Sequence, residues 1–566
     1  MQENTVFEDI SKNSSQEIFS PIPKGYKPGK TKFVVITGSV MSGIGKGTTT
    51  SGLCKLFADR GINVEPIKLE AYLNVDAGTL NPFRHGEVFV LADGTETDMD
   101  LGSYERFTDK NLSKENFVTS GSVYQHVINK ERKGLYLGRD VQFIPHVTGE
   151  IKSILRDLAL NKKAEIVIIE IGGTVGDYEN MFALEALREM QFEEGKDNVC
   201  FLNVTYVVEP PSIGEQKSKA AQLGIKRLIA LGIQPDILIV RSHNKISEKI
   251  REKLGLSVSV PLSHIFGLED SKSIYEIPLI LREKKVDERV LEKLKLNKKF
   301  TIKDGNKKLK KWVKEMTSNG RAKRVNVGIA GKYTGVDDAY ISILKALEHA
   351  SAKLNAKVEV EWIDTGNWKN RNGRLKGIDA LIVPGGFGTR GVEGKIKIVE
   401  IARKKKIPFL GLCYGFQMAL IEIARNELKL KDAHTTEVNE KTKHPVVCLM
   451  PEQYYVEKLG GSMRLGEKKV ELIKGTNAYK MHEKQKFIGR RFRHRYECNS
   501  EYIKDFEKAG IVFSGKAPNE DIMQILELKE HPFFMASQYH PEFTSRPLKP
   551  DPLFYELIKA ALKKKN

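Results

Sequence analysis

The chain has 566 residues and a formal net charge of +19, with 40% hydrophobic and 29% charged residues. That length exceeds one ordinary core and predicts roughly three or four domain equivalents of soluble globular type. No run of about 18 apolar residues is present to cross a membrane, and five scattered cysteines without a C-x-x-C pair argue against a zinc site and for a reducing, cytoplasmic compartment.

Residues 1–31 carry early acids and no apolar h-region, so they are expected to form a disordered extension rather than a signal or transit peptide. From "KFVVITG" onward, apolar runs alternate with helical patterns through "EIVIIEIGG", "VTYVVEP" and "DILIVRS". Such alternation predicts an α/β domain over residues 32–283, built on a doubly wound, mostly parallel sheet. Its opening stretch, "VVITGSVMSGIGKGTTTSGLCKLFADRG", reads as strand, Gly-rich loop and helix. Backbone N–H groups of such a loop and the helix N-terminus form an anion pocket. Gly43, Gly45 and Gly47 allow close approach of phosphate, and Lys46 reaches the terminal phosphates. The match is a variant P-loop, because Val40 stands where the usual pattern has glycine. Phosphates of a triphosphate call for Mg²⁺ and hard oxygen ligands. Glu170 ends the apolar strand "IVIIE" and Asp100 lies in the acidic loop "DGTETDMDLG", which makes both candidates for metal binding.

Residues 284–323 are Lys-rich with little apolar periodicity and are expected to be an interdomain linker, partly helical. A second domain of the same doubly wound, mostly parallel class follows over residues 324–548, opening at "RVNVGIAGKYTG" and continuing through "DALIVPGGFG" and "IPFLGLCYG". Residues 549–566 complete the chain as a helix and basic tail. The surplus lysine and arginine of "KLKLNKKFTIKDGNKKLKKWVKEM", "GRRFRHR" and "KKKN" lacks the aromatic interleaving of nucleic-acid surfaces, so nucleic acid is not the expected partner.

In "IPFLGLCYGFQMAL" the strand, turn and helix follow so closely that Cys413 must sit at an elbow, where the helix N-terminus favours thiolate. "MASQYHPEFTSRP" supplies His540 as a base and, two residues on, Glu542 to orient it. Backbone N–H groups at Gly385–Gly386 in "IVPGGFGTRG" would hold a developing oxyanion. In that chain order these residues resemble the class I (triad) glutamine amidotransferases. The resemblance implies a γ-glutamyl thioester at Cys413, release of ammonia, and glutamine binding by Gly386, Tyr414, Gly415, Phe416, Gln417, Glu437 and Arg495.

The acceptor of that ammonia is narrowed by "KLEAYLNVDAGTLNPFRHGEVFVLADGTETDMDLGSYERF", "YQHVINKERKGLYLG", "EIGGTVGDYEN" and "EQKSKAAQ". With these segments, residues 32 to about 548 resemble the CTP synthase family. That resemblance implies ATP-dependent phosphorylation of the uracil 4-oxygen of UTP, then amination to give CTP, ADP and phosphate. It implies ATP contacts at Ser42, Gly43, Ile44, Gly45, Lys46, Gly47, Thr48, Lys68 and Asp100, with Asp100 and Glu170 on Mg²⁺. The pyrimidine nucleotide, UTP or CTP, would meet Ser42, Asp177, Tyr178, Glu179, Lys217, Ser218, Lys219, Ala220, Ala221, Gln222 and Lys253. His85 and Val88 match positions of the family's ammonia passage, and the loop Gly460–Gly466 matches its GTP-responsive lid. The family also implies GTP activation, CTP inhibition, and a homotetramer in which filaments can form.

Three places depart from the family pattern. Glu70-Ala71 replaces Asp-Pro beside the ATP and metal positions, Ala220-Ala221 replaces Pro-Thr in the pyrimidine loop, and Tyr414 and Phe416 replace Leu or Met. Losing that proline frees a φ angle and losing the threonine removes a hydroxyl. A cobyric-acid-type amidotransferase is the competing enzyme reading, and "NVDAGTLNP" and "EQKSKAAQ" speak against it. A nucleotide-binding assembly or regulatory paralogue is disfavoured by intact Lys46, Asp100, Glu170, Cys413, His540 and Glu542.

Overall fold

The structure is a computed structural model that describes residues 22–212, 214–297, 299–300, 306–317, 323–366, 375–450 and 463–564. Most of the expected N-terminal extension (residues 1–21) and the start of the expected GTP lid (residues 460–462) lie outside the described residues. The chain divides into two compact units, Met1–Asp76 with Ser103–Val313, and Ala77–Gly102 with Lys314–Asn566.

The first unit is built on seven strands: β1 (Lys32–Gly38), β2 (Val64–Glu70), β3 (Phe117–Thr119), β4 (Ile166–Ile171), β5 (Val199–Tyr206), β6 (Ile237–Ser242) and β7 (Ile265–Glu269). Their order across the sheet is β3-β2-β4-β1-β5-β6-β7. Every pairing is parallel. Successive side chains of a strand point to opposite faces, and β1 divides accordingly. Phe33 and Val35 enter one apolar cluster while Val34 and Ile36 enter another. Burial on both faces is why β1 and β4 read as continuous apolar runs. Helix α1 (Lys46–Asp59) follows the Gly-rich loop, and α2 (Lys219–Ala230) follows the segment after β5. Within the Lys-rich stretch expected as a linker, helices run over Val286–Lys293 and Lys307–Thr317. Val286, Val290, Leu291, Leu309 and Val313 of this stretch are buried in the core of the first unit.

The main sheet of the second unit has nine strands: β8 (Lys323–Gly331), β9 (Ala356–Asp364), β10 (Ala380–Val383), β11 (Phe409–Leu412), β12 (Arg464–Leu472), β13 (Phe487–His494), β14 (Ile511–Lys516), β15 (Met523–Leu528) and β16 (Phe534–Ser537). They lie in the order β9-β8-β10-β11-β16-β15-β14-β12-β13. The run from β9 to β16 pairs in parallel, whereas β15, β14, β12 and β13 extend it antiparallel. The second sheet is therefore mixed, with an antiparallel half added to the expected parallel one. Helix α3 (Val392–Lys404) follows β10, and α4 (Tyr414–Asn426) follows β11. Alternation again splits the core: Leu381 and Val383 face one cluster, Ala380 and Ile382 the other. Residues Ala77–Gly102 belong to this unit. Their short ribbon, Phe89–Val90 paired with Glu96–Thr97, is tied to it by Glu467 N–H donating to Ala92 O at 2.8 Å.

Candidate functional site

In the second unit, three neighbouring parallel strands end at one edge. β11 lies between β10 and β16, with Val383 opposite Gly411 and Leu412 opposite Ser537. One residue past β11 comes Cys413; two past β10 comes Gly385, and three past β16 comes His540. Parallel register thus gathers residues that are far apart in sequence, at the carboxyl ends of the strands where such sheets bind ligands. Cys413 is the N-cap of α4 and takes φ 49°, ψ −97°. A non-glycine residue there stores strain of a kind that collects at functional sites. The turn is held by Cys413 N–H donating to Ser537 O at 2.7 Å, and by Phe416 N–H donating to Cys413 O at 3.0 Å. The sulfur lies 3.5 Å from Arg493 O and 3.6 Å from Gln538 Nε2.

His540 Nδ1 lies 2.7 Å from Glu542 Oε1, which leaves Nε2 for a second partner. A Cβ built on Gly385 would meet His540 Cε1 at 2.9 Å and Cys413 Cβ at 3.7 Å, so the glycine fits between thiol and imidazole. Burial disfavours a charged ring at His540, but the Glu542 carboxylate and the Cys413 sulfur outweigh it and raise its pKa to about 10. The arrangement favours a protonated imidazole beside the sulfur.

A cavity of about 510 Å³ opens beside these groups and is lined by Gly386, Tyr414, Gln417, Glu437, Arg495 and Val88 along with Cys413 and His540. Gly385 and Glu542 also line it. Glu437 accepts from Gly388 N–H at 2.6 Å, and burial raises its carboxyl pKa against the pull of that N–H, Lys332 and Lys395. Two expected positions stand apart: Phe416 is buried in the apolar core, and Gly415 is packed against Val383 O, where a Cβ would come to 2.1 Å. His85 ends the short helix Pro82–His85 and is not among the cavity's lining residues.

Sequence reasoning missed His494, Gln538 and Lys395. His494 lines the cavity, and its Nδ1 lies 3.0 Å from Tyr496 O. Burial, with Arg464 and His540 nearby, takes its pKa down to about 3, so the ring stays neutral. Gln538 accepts from Gln417 Nε2 at 3.3 Å. Lys395 is fully buried on α3.

In the first unit, the loop after β1 turns through Gly43 at φ 72° and Gly45 at φ 90°, the latter capping α1. Val40 also takes positive φ, 82°, at the position where the usual P-loop has glycine. Lys46 is buried, and its Nζ donates to Gly173 O at 2.7 Å. A Cβ on Gly38 would meet Lys46 Cδ at 2.8 Å, so that glycine makes room for the lysine stem. Ser42 and Gly43 are exposed on the loop, Ile44 is buried, and Gly47 and Thr48 open α1. Arg241 at the end of β6 lies 3.6 Å from a Cβ built on Gly45, a neighbour that the sequence pattern did not show.

The registers Ile36 to Glu170 and Lys68 to Glu170 set Glu170 at the same edge as the loop. Lys68 Nζ lies 2.9 Å from Glu170 Oε1 and 3.3 Å from Glu70 Oε1, and Tyr104 Oη donates to Glu170 Oε2. Two carboxylates on neighbouring strands are hard oxygen donors that fit Mg²⁺. Among the described residues no three acidic, histidine or cysteine side chains converge as a metal cluster. Asp100 belongs to the second unit, where its N–H donates to Asp98 Oδ1 at 2.9 Å.

Of the pyrimidine positions, Asp177 Oδ2 accepts from Thr174 N–H at 2.7 Å, Tyr178 is exposed, and Glu179 shares a small cleft with Glu70, Ser120 and Tyr124. Lys217 pairs with Glu215 at 2.7 Å, and Ser218 accepts from Gln222 Nε2 at 3.0 Å. Lys219 and Ala220 are exposed at the start of α2, and Ala221 is buried. That helix approaches the P-loop closely, since a Cβ on Gly224 would meet Ser39 Cβ at 2.7 Å. Lys253 is exposed on the helix Glu248–Val258.

A strand-end cysteine facing an imidazole–carboxylate pair defines the second unit as a glutamine amidotransferase domain, and residues 336–560 match the family model for glutamine amidotransferase class-I. Residues 32–296 match the model for the CTP synthase N-terminus. Over 535 residues the chain is 48% identical to the CTP synthase of Pyrococcus abyssi, covering 94% of this chain and 98% of that one. The CTP synthases of Pyrococcus furiosus and Archaeoglobus fulgidus are 47% and 46% identical over 534 and 532 residues, each covering 94% of this chain and 98% of the relative. The chain belongs to the CTP synthase family.

Proposed function

We propose that this protein makes CTP from UTP, with ATP as the phosphoryl donor and glutamine as the nitrogen donor. The observation that carries the glutaminase half is the Cys413 elbow set against the His540–Glu542 pair at one edge of one sheet. His540 takes the thiol proton, and the Cys413 thiolate attacks the γ-carboxamide carbon of glutamine. Backbone N–H groups at Gly385–Gly386 receive the oxyanion of the tetrahedral intermediate. As that intermediate collapses, His540 returns the proton to the leaving nitrogen and ammonia departs. A water activated by His540 then hydrolyses the thioester to glutamate. Gly386, Tyr414, Gln417, Glu437 and Arg495 line the cavity that would take the glutamine, with Arg495 suited to hold its α-carboxylate.

In the synthase half, the loop from Ser42 to Thr48 cradles the ATP phosphates, with Lys46 and Lys68 supplying positive charge. Glu170 would hold Mg²⁺, with Asp100 as the second ligand on the family resemblance alone; when bound, the ion offsets phosphate charge. Transfer of the γ-phosphoryl group to the uracil 4-oxygen makes a leaving group. Ammonia adds at C4 and phosphate departs, leaving CTP and ADP. Recognition of the pyrimidine nucleotide is assigned to Asp177–Glu179, Lys217–Gln222 and Lys253. Ammonia must reach C4 unprotonated, and Val88, in the wall of the Cys413 cavity, and His85 are assigned to its passage. GTP activation, CTP feedback, a homotetramer and a cytoplasmic setting complete the proposal, all from the family.

The test follows CTP formation from UTP and ATP with either glutamine or ammonia. Cys413→Ala should abolish the glutamine-driven reaction and spare the ammonia-driven one. Loss of both in a folded variant would defeat this division of labour.

A further inference from the structure

Lys395 lies one turn into α3, on the stripe it shares with Val392, Ile396 and Val399, all buried. Its side chain is fully buried. No carboxylate pairs with it among the described residues, and its hydrogen bond is to Pro384 O at 3.3 Å. The nitrogen lies 4.9 Å from the centroid of the Tyr414 ring and 3.3 Å from a Cβ built on Gly386. It therefore sits behind both backbone segments of the glutaminase centre: the Gly-Gly loop after β10 and the first residue of α4.

A buried ammonium with no carboxylate in direct contact is costly unless something nearby gains from its charge. The titratable groups facing Lys395 are Lys332, Cys413 and Glu437. Burial drives its pKa down to about 7 with help from Lys332, while Cys413 and Glu437 pull it upward. The interaction is reciprocal, so whatever negative charge at Cys413 does for the ammonium, the ammonium does for the thiolate.

We propose that Lys395 is a positioning residue for glutamine hydrolysis: its ammonium fixes the Pro384–Gly386 turn and meets the negative charge that appears on Cys413 and then on the oxyanion. The assignment rests on the reading of Cys413 as nucleophile. Lys395 transfers no proton and touches no substrate atom. Its effect falls on the transition state, where negative charge is greatest, and so on kcat more than on KM.

The experiment compares the full chain carrying Lys395→Met with Lys395→Arg. In Lys395→Met, kcat for glutamine hydrolysis should fall by about tenfold or more, short of the about 10²–10³ lost with an oxyanion donor itself. KM should change by less than about threefold. The pH midpoint for alkylation of Cys413 by iodoacetamide should rise. Ammonia-driven CTP synthesis bypasses Cys413 and serves as the folding control. Lys395→Arg keeps the charge, so its midpoint should stay near that of the parent while kcat falls with the altered turn. An unchanged kcat and midpoint in Lys395→Met overturns the proposal, as does a loss confined to KM. If the Met variant fails to fold, a shifted midpoint in Lys395→Arg overturns it instead. Failure of the underlying reading has a different signature, namely glutamine hydrolysis persisting in Cys413→Ala.

Discussion

The two units use the same piece of backbone for negative charge of different origin. In each, a parallel strand inside the sheet turns into a helix, with the key side chain at the junction. After β1 the loop is long and glycine-rich and Lys46 opens α1, a backbone suited to an anion arriving from solution. After β11 there is no loop to speak of: Cys413 is itself the turn, and in the proposed reaction the charge is generated on the protein. One junction adapts to a ligand by freedom of backbone, and the other holds a nucleophile by removing that freedom. The helix N-terminus serves both, since it favours negative charge wherever that charge resides.

The largest expected effects separate the two junctions. Cys413→Ala should lower glutamine-driven CTP formation by at least about 10³-fold, the scale seen when a nucleophile is removed. With ammonia supplied, the same variant should keep its rate within about twofold. Lys46→Ala should do the reverse, lowering CTP formation from either nitrogen source by about 10²-fold or more while glutamine is still hydrolysed. Product analysis by chromatography reads both. Equal loss of glutamine hydrolysis in the two variants would falsify the independence of the junctions.

A middle-sized effect probes the charge on the thiolate side. Glu542→Gln removes the carboxylate that helps raise the His540 pKa to about 10, so burial then dominates and the pKa falls. With a raised pKa the His540 ring keeps its proton up to about pH 10. In the variant the ring deprotonates at lower pH, the thiolate loses its partner, and alkylation of Cys413 near pH 7 should slow. The expected loss in kcat for glutamine hydrolysis is about 10²–10⁴-fold, as for other orienting carboxylates. An alkylation profile identical to that of the parent would show that Glu542 does not set the charge on His540.

Much of this was legible in the sequence because both junctions are local. "GSVMSGIGKGTTTSG" and "FLGLCYGFQ" each announce strand, turn and helix within a dozen or so residues. His540 with Glu542 was legible too, since two residues of spacing fix their pairing without the rest of the fold. What escaped depends on strand order. Nothing in "RRFRHRYE" says that His494 ends β13 beside the Cys413 cavity, because that follows from the antiparallel half of the second sheet, where the sequence suggested a mostly parallel one. Lys395 left a fainter trace. Its position on the Val392–Ile396–Val399 stripe is the face a helix buries, yet a lysine among the lysines of "GVEGKIKIVEIARK" reads as solvated. Likewise the Lys-rich stretch after residue 283 reads as a linker, although Val286, Val290, Leu309 and Val313 fall at spacings that bury them.

The smallest effect concerns backbone strain, which the two junctions share through non-glycine residues at positive φ. Val40 has φ 82° and Cys413 has φ 49°. For an L-residue this conformation costs about 1–2 kcal/mol, and replacement by glycine returns it less the about 0.5–1 kcal/mol of added chain entropy in the unfolded state. Val40→Gly should therefore stabilise the first unit by about 0–1 kcal/mol in urea unfolding, with loss of a half-buried side chain holding it to the low end. Cys413→Gly should exceed Cys413→Ala in stability by about 1 kcal/mol, both being inactive with glutamine. The comparison turns on ATP: a glycine at residue 40 loosens a loop whose work is to mould itself round phosphate, so the KM for ATP should change by less than about threefold. If Val40→Gly instead raised that KM by more than tenfold, the valine would be holding the loop in shape as Cys413 holds its turn, and the contrast between a yielding junction and a rigid one would be lost.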